Sequence, residues 1–172
     1  MIAEPYILHW RDSFPWAKMH NVEQDLLISR AVVAIYSDEF LASQVTAYRF
    51  EEMLGTKFNA VFGRKKTRDL FDMDYVFRHS SPNVDTILRC WRRYKKELGE
   101  ELPSWREYVQ NVEAKLNDEA YRNGMATLLR PGTPFDPDEA WANVRKHIVD
   151  RLMTPRDLRE MKKGVKVSGT YI

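Results

Sequence analysis

What this chain lacks narrows its possibilities first. Its single cysteine, Cys90, rules out an internal disulfide and fits a reducing compartment. His9, His20, His79 and His147 stand at no ligand spacing from one another or from Cys90, so no zinc site is read. Seven glycines and eight prolines are few for 172 residues, and the prolines fall mostly between periodic runs, which argues for long helices. No apolar run approaches the ~20 residues of a membrane span. Met1–Trp10 has no basic segment leading into an apolar stretch, so no secretory signal is read and a cytoplasmic location is expected. There is no glycine-rich phosphate loop, no internal repeat, and no serine or cysteine nucleophile beside a visible base. Charge of one sign is also missing: 27 basic against 25 acidic residues leaves +2, too little to indicate nucleic acid from the total.

What is present is a series of helical patterns. Residues 1–20 form an aromatic-rich lead-in with Trp10, Phe14 and Trp16. From Val22 to about Ser43 the chain is apolar almost all round (Leu26, Leu27, Ile28, Val32, Val33, Ile35, Tyr36), the pattern of a helix buried on every side. Helices are expected over Phe50–Phe62, Arg68–Arg78 and Val84–Leu98, with Gly99 just past the last of these. Ser104-Trp-Arg-Glu107 is a capping box opening a helix to about Leu116, and a further run covers Glu119–Leu129. Asp136-Pro-Asp-Glu139 supplies an N-cap, a first-turn proline and an acid for a last helix bearing Ala140, Val144, Ile148 and Leu152 on one face. The expected fold is all-α: a single-domain bundle of six or seven helices around a buried central helix. The helical domain spans 1–153, as an opening segment with the buried helix (1–43) and a C-terminal helical region (50–153). A basic flexible tail follows over 154–172.

The densest chemistry lies in Leu54–Phe77, where Lys57, Arg64, Lys65, Lys66, Arg68, Asp69, Asp72 and Asp74 interleave with Phe58, Phe62, Leu70, Phe71, Tyr75 and Phe77. Asp69 and Asp72 are three residues apart on one helical face, so a basic side chain from the preceding helix is placed to bridge them. An ion-pair network tying two helices together is the plainer role for this group. Asp72-Met-Asp74 reads D-x-D, but Leu70, Met73 and Phe77 are at helical spacing, and on a helix positions 72 and 74 diverge by about 200°. A second basic group, Arg89, Arg92, Arg93, Lys95 and Lys96, reads mainly as a solvated helix face, with Trp91 and Tyr94 between the cations leaving room for stacking on single-stranded nucleic acid.

Two blocks resemble the AbiEii/AbiGii family of nucleotidyltransferase-like toxins of bacterial toxin–antitoxin and phage-defence systems. One is Trp10-Arg-Asp-Ser-Phe-Pro-Trp16 with the run Asn21–Asp38; the other, more specific, is Phe50–Asp72, similar to the family's Lys-x-x-Ala-x-x-x-Arg followed by Arg-Asp-x-x-Asp. The resemblance implies phosphate or RNA contact for Lys57, Arg64, Lys65 and Arg68, and a catalytic or geometric role for Asp69 and Asp72. It also implies a glycine turn and paired, metal-holding carboxylates on a strand between the blocks, and this chain departs from that. The seven residues between Ala42 and Phe50 leave no room for a nucleotide-binding sheet. Three readings follow. The first is a shortened relative that transfers no nucleotide, the second an antitoxin-like or inhibitory interaction protein, and the third a residual nucleotidyltransferase acting on RNA. No metal or cofactor is expected, Mg²⁺ and a nucleoside triphosphate entering only with the third. The partners expected are the other protein of a toxin–antitoxin pair, a second copy, or an RNA backbone.

Overall fold

The computed structural model describes residues 4–14, 18–44, 48–125, 128–129 and 132–162. Among them are ten α-helices, two 3₁₀ turns and no strand, so the all-α expectation holds. No helix among them is long and apolar enough to cross a membrane. The chain divides into two compact units, residues 1–47 with 125–134 and residues 48–124 with 135–172.

In the first unit, helix α1 (Glu4–Ser13) packs on α2 (Met19–Ser37), and a short α3 (Glu39–Gln44) follows. Ile7, Val22 and Leu26 form a small core against which Trp10 lies. The indole Nε1 of Trp10 donates to Asp25 Oδ2 at 2.9 Å, and its ring stacks on Phe14. The expectation of a buried central helix is corrected here. Only Val22 and Leu26 of α2 are buried, while Leu27, Ile28, Val32, Val33 and Tyr36 are exposed. An all-round apolar pattern reports what a helix is able to bury; packing neighbours decide what it does bury.

The second unit holds the main core. Its helices are α4 (Phe50–Gly63), α5 (Thr67–His79), α6 (Val84–Glu97), α7 (Trp105–Leu116), α8 (Glu119–Arg122) and α9 (Pro137–His147), with α10 (Pro155–Lys162) at the end of the described chain. Local signals set most of the boundaries. Asn83 caps α6 by accepting from the Thr86 amide at 2.9 Å, and Gly99 beyond its end has φ +67°, the left-handed region glycine favours. Ser104 and Glu107 close the capping box of α7. Asp136 accepts from the Asp138 and Glu139 amides, and Pro137 opens α9. The run expected over 119–129 is instead a single helical turn, α8, passing into the 3₁₀ turn Asn123–Met125.

Apolar stripes at helical spacing then meet. Phe58 of α4, Trp91 of α6 and Tyr108 of α7 are fully buried, with Phe58 stacked on Tyr108 at 4.6 Å between centroids and Trp91 edge-on to Phe58 at 5.0 Å. The hydroxyl of Tyr108 donates to the Phe58 carbonyl at 2.7 Å. Burial first, and the charge of Tyr121 second, push the Tyr108 phenol well above its ordinary value of 10.0. Gly55 sets how closely α4 and α6 approach. A Cβ there would stand 3.1 Å from the Trp91 amide nitrogen and 3.2 Å from the Ile87 carbonyl oxygen, both backbone atoms that cannot swing aside.

The tail expected from residue 154 starts differently. Its first part is α10, fastened to α7 because Arg106 donates to Asp157 Oδ1 at 3.1 Å and also pairs with Glu160. The rest of that tail, 163–172, and most of the strand-like stretch 44–48 lie outside the described residues.

Candidate functional site

The basic and acidic residues singled out in the sequence fall on α4, on α5 and on the turn between them. Leu54, Phe58 and Val61 turn α4 toward the core, leaving Lys57 at the edge with its side chain 34% exposed. Leu70, Met73 and Phe77 do the same for α5. Asp69 sits in the first turn of α5, where a carboxylate suits the positive end of the helix, and its side chain is 1% exposed. The bridge anticipated from the spacing of Asp69 and Asp72 is present. Lys57 Nζ lies 2.5 Å from Asp72 Oδ2 and 3.5 Å from Asp69 Oδ1.

The D-x-D sequence does not form a site. Asp74 faces away from Asp72: both its oxygens accept from Arg78 Nε, and its Oδ1 also accepts from Asn143 Nδ2 of α9 at 2.8 Å. This is the divergence that helical geometry requires. No cluster of three or more His, Cys, Asp or Glu side chains capable of holding a metal occurs among the described residues. The remaining candidate pair, Asp69 and Asp72, does not fit a divalent ion either, because the Lys57 ammonium occupies the space between the two carboxylates and one of them is enclosed.

The turn residues 64–66 and the start of α5 split. Lys65 is tied to Asp118 Oδ2 at 2.6 Å, and that ammonium holds the Asp118 carboxyl below its ordinary value. Arg64, Lys66 and Arg68 are exposed and pair with no carboxylate among the described residues. The structure therefore brings Lys57, Asp69 and Asp72 together, gives Lys65 a different partner, and leaves Arg64 and Arg68 facing solvent.

Beneath this surface lies a group the sequence did not signal. Lys115 of α7 donates to the Val61 and Phe62 carbonyls at 2.8 and 2.6 Å, satisfying acceptors at the end of α4 that have no helical partner. The Thr67 hydroxyl donates to the Tyr121 carbonyl, and Gly124 packs so close that a Cβ there would stand 2.7 Å from Thr67 Oγ1. Partners fifty or more residues apart leave no local pattern, which is why Lys115 and Tyr121 escaped the sequence reading.

Both groups titrate abnormally. Desolvation lowers Lys115 from 10.5 to about 8 against the opposing pull of Asp69, while desolvation and the Asp69 charge raise Tyr121 from 10.0 to about 12. Between about pH 8 and 10 the unfolded chain therefore holds more protons at lysine 115 than the folded chain, and stability rises with pH. Above about pH 10 the unfolded chain loses the Tyr121 proton that the folded chain keeps, and stability falls. Urea midpoints at about pH 7.5 and about pH 9.5 should show the rise in the parent protein and its loss in Lys115→Met. An equal rise in that variant would overturn the assignment.

The second basic group also divides. Lys95 is buried, 2.6 Å from Glu100 Oε2 and over the Phe62 ring, and Trp91 belongs to the core. Arg89, Arg92, Arg93, Tyr94 and Lys96 remain at the surface.

A family model described as Nucleotidyl transferase AbiEii toxin, Type IV TA system, matches residues 22–147. No curated protein and no solved structure matches the chain.

Proposed function

The chain belongs to the AbiEii family of nucleotidyl transferase toxins, and on that premise we propose that it is a shortened member of the toxin–antitoxin sphere that transfers no nucleotide by itself. In this reading it retains contact with RNA phosphate through the turn between α4 and α5. Nucleotidyl transfer requires the charge on the reacting triphosphate to be neutralised, usually by a metal held on paired acids. The observation that carries the reading is the position of Lys57: its ammonium already bridges Asp72 and Asp69, the two acids the family motif supplies, where a metal would have to sit. Residues 45–49, between α3 and α4, are also too few for the strands a nucleotide-binding palm needs. Arg64 and Arg68, facing solvent without carboxylate partners, are suited to phosphate oxygens.

Incubating the purified protein with Mg²⁺, labelled nucleoside triphosphates and tRNA should yield no incorporation. Incorporation that disappears in Asp72→Asn would establish the residual-enzyme reading instead. In filter binding, the Arg64→Glu/Arg68→Glu pair should weaken tRNA binding and reduce the salt slope by about two. An unchanged slope would remove the phosphate contact from the proposal.

A place in a toxin–antitoxin system also supports a protein counterpart. The exposed apolar residues of α2 favour a second reading, an interaction protein that acts on a full-length toxin or on another copy of itself. Rescue of growth when the chain is co-expressed with such a toxin would support it, and continued arrest would count against it.

A further inference from the structure

Away from the Lys57 cluster, α4 and α6 flank a groove that the proposed function does not use. Thr56 of α4 and Thr86 and Cys90 of α6 are among its lining residues, and its volume is about 530 Å³. That falls within the roughly 300–1,000 Å³ of ordinary ligand sites. Tyr48, Arg49, Arg89, Cys90, Arg93 and Tyr94 line it. On α6, positions 86, 89, 90, 93, 94 and 97 recur at three- and four-residue intervals, so one continuous stripe of that helix faces the groove.

Two properties of the lining select a ligand. The first is a set of loosely paired arginines in a lining of no net charge. Glu51, Glu52 and Glu97 also line the groove, three carboxylates to three arginines, and Glu51 accepts from the Asn83 amide and Glu52 from the Arg49 amide, both at 3.4 Å. The arginines are less engaged. Arg89 donates to the Thr86 hydroxyl at 3.0 Å, Arg93 reaches Glu97 only at 4.0 Å with both side chains exposed, and Arg49 pairs with no carboxylate among the described residues. Three guanidiniums without a close counter-charge, in one concavity, suit phosphate. The second property is exposed aromatic surface. Tyr48 and Tyr94 are 67% and 38% exposed, whereas the neighbouring Trp91 is 1% exposed. A tyrosine left open beside arginines offers a stacking face to a planar ring.

We infer that the α4–α6 groove binds a nucleotide unit, with its base against Tyr48 and Tyr94 and its phosphate on Arg49, Arg89 and Arg93. The same chemistry is offered by a free mononucleotide and by one residue of a single-stranded RNA. The site is separate from the turn between α4 and α5 and does not rest on the reading given for that turn.

Fluorescence anisotropy of a labelled oligouridine decamer on the full chain tests this, with unlabelled UMP and inorganic phosphate as competitors. Binding is expected to weaken roughly tenfold or more in Arg89→Glu/Arg93→Glu and in Tyr94→Ala, and to persist in Tyr94→Phe and in Arg64→Glu/Arg68→Glu. Competition by UMP at matched nucleotide concentration identifies a mononucleotide site, and competition only by the unlabelled decamer identifies a strand site; either supports the inference. The sole cysteine gives an independent readout: maleimide labelling of Cys90 should slow when the competent ligand is present. The inference is overturned if no ligand binds, if phosphate alone competes as well as UMP, or if only the Arg64→Glu/Arg68→Glu pair abolishes binding. These substitutions lie on exposed positions, so circular dichroism should report an unchanged fold.

Discussion

Lys57→Met should lower the unfolding free energy by about 2–3 kcal/mol. Removing one partner of a buried ion pair leaves a charge with no compensation, at a typical cost of about 3–5 kcal/mol. The lower figure applies because Lys57 is 34% exposed, although Asp69 is only 1% exposed. Adding Asp69→Asn should recover part of the loss, since a neutral amide no longer needs the ammonium. The double variant should therefore be more stable than Lys57→Met alone. Urea unfolding followed by circular dichroism reads both effects. If Lys57→Met shifted no midpoint, the Lys57 bridge would carry no structural weight, and the case for these acids being occupied structurally would fail with it.

The largest loss is expected at Tyr108. Its ring contacts Phe58, Phe62, Trp91 and Trp141 with centroids 4.6, 5.3, 6.4 and 6.5 Å away, and it is fully buried. Tyr108→Ala should cost about 4 kcal/mol, the range for aromatic truncation in a core. Tyr108→Phe retains the ring and should cost only about 1 kcal/mol, the contribution of the hydroxyl's bond to the Phe58 carbonyl. Equal losses in the two variants would show that the hydrogen bond, and not the stacking, holds α7 against α4.

These two sites also show how far the chain is readable before it folds. The i, i+3 placement of Asp69 and Asp72 on one helical face, and the arrival of a lysine from the preceding helix, follow from positions within about twenty residues. The caps at Ser104 and Asp136 and the glycine beyond α6 are likewise local, because a cap needs only a side chain and an amide two or three positions away. The divergence of Asp72 from Asp74 needs no more than the helical period.

Other features depended on partners the chain brings together only on folding. Asp74 meets Asn143 across 69 positions, Lys65 meets Asp118 across 53, and Lys115 reaches the end of α4 across 53 and 54. Lys95 was indistinguishable from its exposed neighbours until Glu100 and Phe62 enclosed it. Trp91 and Tyr94, three residues apart on one helix, shared a reading until packing buried the first and left the second open at a groove. Helix α2 makes the same distinction in the opposite sense, since its apolar residues were legible and their exposure was not. Backbone hydrogen bonding and capping act within about four residues, so sequence alone determined helices α4 to α7 and α9 and the face each of their residues occupies, but not α1, the single turn α8 or α10. Burial depends on which helices meet, so only the tertiary structure decided which charges are spent on the fold and which remain free to engage a ligand.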